Sequence, residues 1–191
     1  MNICLYGASS NKIDASYVAA VEALGEKLAK RGHHLVFGGG ANGLMGAAAR
    51  GVQKGGGNIL GVAPSFFNVD GVLFPDCTEF IYTETMRERK QIMEERADAF
   101  IMTPGGIGTF EEFFEILTLK QLGRHQKAIA ALNVNGFFDK MIAMMEAAIE
   151  QNFMAAHCRE LYRFFQDADE LLDYLEEYHA RPLTPDQLKF I

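Results

Sequence analysis

Two stretches of this chain carry residue types that could do chemistry together: a glycine loop followed by paired acids, and a helix bearing adjacent arginine and lysine. The first reads Pro104-Gly105-Gly106-Ile107-Gly108-Thr109-Phe110-Glu111-Glu112. It follows the apolar run Ala99–Met102 and opens into Phe113-Phe114-Glu115-Ile116-Leu117, which predicts a buried strand, a glycine turn and a helix. Glycines leave the backbone bare where N–H groups must converge, and a helix start adds partial positive charge. Such a turn holds a phosphate without a lysine. Glu112, three residues beyond Thr109, would then stand beside whatever the loop holds. A competing reading is structural: Thr109 and Glu112 form T-x-x-E, a helix capping box.

The second stretch is Met86-Arg87-Glu88-Arg89-Lys90-Gln91-Ile92-Met93. On a helix, Met86, Met93 and Ala97 share one face, flanked by Arg89 and Lys90, while Arg87 and Glu88 point away. An arginine beside an interior stripe costs free energy unless it is paired. It is half of an internal ion pair, or its stem snorkels to the edge, or it is aimed at an anionic substrate.

Further glycines lie after other strand-like runs. Gly38, Gly39, Gly40, Gly43 and Gly46 follow Leu35–Phe37. Gly38, Gly40 and Gly43 match G-x-G-x-x-G, but the dinucleotide reading needs an acid about 20 residues on. Gly61-Val62-Ala63-Pro64 stands there instead, so NAD binding is disfavoured. Gly7-Ala8-Ser9-Ser10 follows the first strand, and Ser10 could donate to a phosphate or ribose, or cap a turn. Neither G-x-x-x-x-G-K-[ST] nor G-x-S-x-G occurs, and no lysine can be assigned to pyridoxal phosphate.

These residues are positioned by alternating strand-like and helix-like runs. Strands are expected at Ile3–Tyr6, Leu35–Phe37, Ile59–Ala63, Phe80–Tyr82, Ala99–Met102, Ala128–Leu132 and Tyr162–Phe165. Helices are expected at Ala15–Arg31, Leu44–Lys54, Met86–Ala97, Phe110–Leu122, Phe137–Gln151 and Ala168–Tyr178, with residues 65–78 irregular. The alternation predicts an α/β fold: a Rossmann-like, doubly wound, mainly parallel sheet with helices on both faces, and ligands beyond the carboxyl ends of the strands. One domain over residues 1–191 is expected, with a loose tail over 181–191.

Bulk properties narrow the function. The 191 residues include 15 Phe and 9 Met, enough for a sizeable core. The net charge of −7 and the absence of a basic stripe argue against nucleic acid as partner. Cys4, Cys77 and Cys158 are widely spaced and odd in number, and the histidines form no H-x-x-x-H. No zinc site, disulfide frame or other metal site is expected. Neither a signal peptide nor a membrane span is apparent, so the expected setting is the cytoplasm.

Together these residues resemble the LOG (Lonely Guy) family of cytokinin-activating nucleotide hydrolases, over residues 2–153. Its signatures P-G-G-x-G-T-x-x-E and M-x-x-R-K correspond to Pro104–Glu112 and to Met86, Arg89 and Lys90, and the run Gly38–Gly46 also fits. The resemblance implies a Rossmann-like homodimer with the active site near the interface, without a cofactor. It implies that an N6-substituted adenine nucleoside 5′-monophosphate is hydrolysed to free base and ribose 5-phosphate. It places the catalytic pair on Arg89 and Glu112 and the phosphate loop on Gly105, Gly106, Gly108 and Thr109. Relatives' nucleotide contacts fall on Lys90, Glu111 and Thr118; Met86, Gly39, Gly40 and Ser10 are further candidates for substrate binding. The chain departs from many relatives in reading Tyr6-Gly7-Ala8-Ser9-Ser10 for C-G-S-S and Arg87 for His. It also lacks a P-R-E triplet within Phe66–Phe74, where Asp70 is a candidate substitute. Members of the wider family have also been labelled lysine decarboxylases, and nothing in this chain supplies that chemistry.

Cleaving a ribose–base bond develops positive charge on the sugar. Glu112 is the expected base or water-orienting group and Arg89 its charge partner. The alternatives are a broader AMP or nucleotide nucleosidase and a non-catalytic nucleotide carrier.

Overall fold

The computed structural model describes residues 1–180, and the tail expected over 181–191 lies outside them. Elements follow in the order β1 (Asn2–Tyr6), α1 (Ala15–Lys30), β2 (His34–Phe37), α2 (Gly43–Lys54), β3 (Ile59–Pro64), β4 (Glu79–Thr83), α3 (Met86–Arg96) and β5 (Ala99–Met102). Then come α4 (Ile107–Gln121), β6 (Ala128–Leu132), α5 (Asp139–Glu150), β7 (Arg163–Phe165) and α6 (Ala168–Glu176).

The strands form one seven-stranded sheet in the order β4-β3-β2-β1-β5-β6-β7, and every pairing is parallel. This is the doubly wound arrangement expected from the β–α alternation. The chain winds outward from β1 to β4, then α3 carries it back across to β5 on the other side of β1. Loops leaving β1 and β5 therefore diverge, and a crevice opens between them at the carboxyl edge.

Because side chains alternate along a strand, each inner strand feeds two cores. Ile3, Leu5, Leu35, Phe37 and Ile101 pack with α1, α2 and α6, whereas Cys4, Tyr6, Val36, Phe100 and Met102 pack with α3, α4 and α5. Helices α1 and α2 approach closely because both contact faces carry glycine: a Cβ on Gly51 would come within 2.0 Å of the Glu22 carbonyl oxygen.

Two local expectations are corrected. Helix α4 starts at Ile107, three residues before Phe110, with Gly106 as its N-cap and no side-chain cap. Thr109 is therefore inside the helix and buried, and it forms no capping box with Glu112. The capping box belongs to α3, where Thr85 Oγ1 accepts from the Glu88 N–H and the Glu88 carboxylate accepts from the Thr85 N–H. The last large helix begins at Asp139 rather than Phe137, because a short 3-10 turn, Val134–Gly136, precedes it.

Candidate active site

A cavity of about 530 Å³ occupies the crevice. Its walls come from the loops after β1 (Gly7, Ala8, Ser9), β2 (Gly38, Gly40, Asn42) and β5 (Gly106), and from α3 and α4. Phe67, Val72 and Leu73 roof it. That roof is fastened by main-chain bonds: the Ala41 N–H donates to the Val72 carbonyl at 2.9 Å and the Phe74 N–H to the Gly39 carbonyl at 2.8 Å.

Arg89 and Glu112 meet in this cavity. Arg89 Nη1 donates to Glu112 Oε1 at 2.7 Å, and the two side chains are only 8% and 12% exposed. Arg89 Nε donates to the Val62 carbonyl at 3.2 Å, so the guanidinium is also anchored to β3. Arg89 is thus half of an internal ion pair and also lines the cavity. Burial pushes the Glu112 carboxyl above the usual glutamate range; the Arg89 charge and hydrogen bond pull it back, and nearby Glu111 adds to the rise. Breaking such a buried pair by removing one partner typically costs about 3–5 kcal/mol.

The start of α4 supplies the complementary half. The first N–H groups of a helix have no intrahelical acceptor. Here the N-cap is a glycine with no side chain to satisfy them, and Ile107, Gly108 and Thr109 border the cavity. Gly106 has an ordinary φ of −97°, and a Cβ on Gly106 or Gly108 would meet nothing within 4 Å. Neither packing nor backbone strain demands glycine at 106, so the bare backbone there leaves room for a ligand. Gly105 differs, since its Cβ would lie 2.1 Å from Thr109 Oγ1.

Of the residues singled out in the sequence, Arg89, Glu112, Gly106, Gly108, Thr109, Met86 and Gly40 line the cavity. Gly105 and Ser10 line a smaller adjoining hollow of about 290 Å³, and Ser10 Oγ accepts from the Lys12 N–H in a turn. Gly39, at φ +74°, serves the turn instead. Lys90 does not line the cavity; it bridges Glu111 at 2.5 Å and Glu115 at 2.8 Å on the outer face of α4, where Thr118 is exposed. Asp70 is exposed and also outside the lining. The Val62 carbonyl was not foreseen, because a main-chain acceptor leaves no mark in residue type. Among the described residues no cluster of His, Cys, Asp or Glu is arranged to hold a metal.

Fold and site together define a Rossmann-like α/β protein in which a helix start without a side-chain cap shares a cavity with a buried arginine–carboxylate pair. A family model described as "possible lysine decarboxylase" matches residues 45–175. The cytokinin riboside 5′-monophosphate phosphoribohydrolase LOG of Oryza sativa subsp. japonica is 40% identical over 176 residues, covering 92% of this chain and 73% of the relative. The enzyme of that name, LOG2, from Arabidopsis thaliana is 38% identical, covering 92% and 83%. The chain belongs to this LOG family. Among solved structures, the molybdenum cofactor carrier protein of Chlamydomonas reinhardtii superposes with a TM-score of 0.70 at 20% identity, over 92% of this chain and 96% of the other. The molybdenum cofactor binding protein of Rippkaea orientalis gives 0.68 at 18%, over 92% and 93%. These two share the fold.

Proposed function

We propose that this protein hydrolyses the N-glycosidic bond of adenine nucleoside 5′-monophosphates, with N6-substituted, cytokinin-type nucleotides as substrates, releasing free base and ribose 5-phosphate. The observation that carries this reading is the buried Arg89–Glu112 pair set beside the uncapped start of α4. A carrier needs the anion seat alone; a buried carboxylate kept beside it serves bond cleavage. The names of the relatives support the substrate class.

In the proposed mechanism the 5′-phosphate binds the N–H groups of Ile107, Gly108 and Thr109, which fixes the sugar over Glu112. As the C1′–N9 bond lengthens, the Glu112 carboxylate stabilises the cationic sugar and orients the water that captures it. Arg89 keeps that carboxylate ionised against the desolvation that favours its neutral form, and holds it in register through Val62. The departing base takes its proton from solvent. No cofactor enters these steps.

The Phe67, Val72, Leu73 and Met86 side chains support an apolar substituent on the base. We place a second copy of the chain against α3 and α4 near the cavity mouth, where Met86 and Ile107 are exposed apolar residues. There Lys90, Glu111 and Thr118 would reach the partner's nucleotide. The free state of all three cysteines supports the cytoplasm as its compartment. No described helix is long and apolar enough to cross a membrane.

The test is to incubate the purified protein with matched monophosphates, AMP and N6-isopentenyl-AMP among them, and measure free base. Faster release from the N6-substituted nucleotide supports the reading. Equal release from AMP indicates a broader nucleosidase, and binding without base release overturns the catalytic reading in favour of a carrier.

A further inference from the structure

A second helix start, that of α2, borders the crevice, and its N–H groups are already taken. The Gly43 N–H donates to Asn11 Oδ1 at 2.9 Å, and the Leu44 and Met45 N–H groups donate to the Ala8 carbonyl at 2.8 and 3.3 Å. The loop after β1 therefore fills the place where α2 would otherwise hold an anion.

Asn11 passes the contact on. Its Nδ2 donates to Asn42 Oδ1 at 2.8 Å, and Asn42 Nδ2 donates to the Gly71 carbonyl at 3.3 Å. Both ends of this chain are main-chain groups of fixed polarity: the Gly43 N–H only donates and the Gly71 carbonyl only accepts. Turning either amide over sets donor against donor or acceptor against acceptor, so the network assigns the direction of both. Asn42 also lines the cavity. An amide has two N–H groups and two carbonyl lone pairs, and these contacts use one of each.

The sheet order sets how far Asn42 stands from the proposed phosphate seat. Strand β1 lies between β2 and β5, so the loops leaving β2 and β5 are two strand spacings, about 10 Å, apart. Asn42 follows β2, and the start of α4 follows β5. A nucleotide with its 5′-phosphate on α4 covers that span with its sugar and base. Gly71, which Asn42 holds, adjoins Val72 and Leu73 of the apolar roof.

We propose that Asn42 hydrogen-bonds the edge of the base and selects a 6-amino over a 6-oxo purine, with Asn11 as the positioning residue that sets the direction of its amide; this rests on the adenine nucleotide reading above. An adenine edge places an accepting ring nitrogen beside a donating exocyclic N–H. The N1 and O6 edge of hypoxanthine reverses that order. An unrestrained amide satisfies either edge by turning over, whereas a fixed amide satisfies one. The mismatched base then leaves polar groups facing their own kind, which is the condition for strong discrimination. A single N6 substituent leaves one N6–H in place, so the contact also serves substituted bases.

Affinities of the wild-type protein for AMP and IMP are measured by calorimetry, beside base release from each. AMP is expected to bind about tenfold tighter or more. Asn42→Asp replaces the donor by an acceptor and should lower the AMP-to-IMP preference by about tenfold. Asn11→Asp still accepts from the Gly43 N–H but needs a donor from Asn42, which turns that amide over. The preference should fall there too, although Asn42 is intact. A loosened roof weakens both nucleotides alike and leaves the preference unchanged, so the ratio separates base reading from a structural role. A wild-type protein that binds the two equally or binds neither overturns the proposal, as does an unchanged preference in Asn42→Asp. An unchanged preference in Asn11→Asp removes Asn11 from it. Melting curves identify a variant that does not fold, and the other variant then decides. If both nucleotides bind and neither releases base, the hydrolase reading fails while the binding ratio still decides the role of Asn42.

Discussion

Arg89 lies across the face of Gly38 so closely that a Cβ built on Gly38 would come within 2.0 Å of Nη2. The guanidinium is thus held on three sides: by the bare backbone of Gly38, the Val62 carbonyl and the Glu112 carboxylate. Gly38→Ala should displace the arginine while leaving the sheet intact. We expect kcat/KM for base release to fall about 10- to 100-fold, or roughly 1.4–2.7 kcal/mol of transition-state stabilisation. Steady-state kinetics beside a melting curve will check this; unchanged kcat/KM in a folded variant would show that the contact is irrelevant to turnover.

Glu112→Gln keeps the shape of the acid and removes its charge. Nucleotide affinity should stay within a few-fold of the parent while kcat drops by about 10²–10⁴. Arg89→Ala should lose affinity as well, because it leaves the buried Glu112 without its partner. Calorimetric titration combined with single-turnover assays separates the two effects. Parent-like turnover in Glu112→Gln would sink the assignment.

The pH dependence has a definite sign. Burial raises the Glu112 carboxyl above its ordinary value of 4.5, and the proposed mechanism uses the ionised form. The acid limb of kcat/KM should therefore be centred above pH 4.5. The stability effect runs the other way. A raised folded-state value means that the contribution of Glu112 is complete below pH 4.5 and is lost as pH rises through the folded value. The Tm of Glu112→Gln relative to the parent should accordingly increase from pH 4 to pH 7. A flat difference would contradict the burial effect.

Adjacent glycines should respond differently. Gly106→Ala meets no neighbour, so stability should change by no more than about 0.5 kcal/mol. The added methyl would stand where the proposed mechanism seats the phosphate, and KM should rise about tenfold, equivalent to ~1.4 kcal/mol. Gly105→Ala strikes the Thr109 side chain and should cost about 1–3 kcal/mol in stability. Urea denaturation and KM measured on both variants provide the test.

Thr85→Ala removes the hydroxyl that caps α3 and should cost about 1 kcal/mol of stability. As α3 carries Arg89, a small loss of kcat/KM should accompany it. Denaturation midpoints will read the first effect and base-release assays the second.

The doubly wound parallel fold was legible in the sequence because it rests on repeating signals: apolar runs of strand length, helical spacing and glycine turns between them. The family was legible from the two motifs at Pro104–Glu112 and Met86–Lys90. Arg89 was legible as a candidate because charge beside an apolar stripe is conspicuous, and Glu112 because it follows a glycine loop at short range. The start of α4 was misread because Ile107 and Gly108 carry no start signal, whereas T-x-x-E imitates one. The outward direction of Lys90 and Thr118 depends on how α3 and α4 are rotated against the sheet, which side-chain packing determines. Val62 and Gly38 act through main-chain atoms or through a missing side chain, and neither announces itself in a single sequence.

The roof of the crevice is stitched to the glycine run by peptide groups, while its inner lining consists of the Phe67, Val72 and Leu73 side chains. Fastening and lining are therefore separable there. Exchanging those three side chains would reshape the cavity without unfastening the seam, because the main-chain bonds at Ala41 and Phe74 do not involve them.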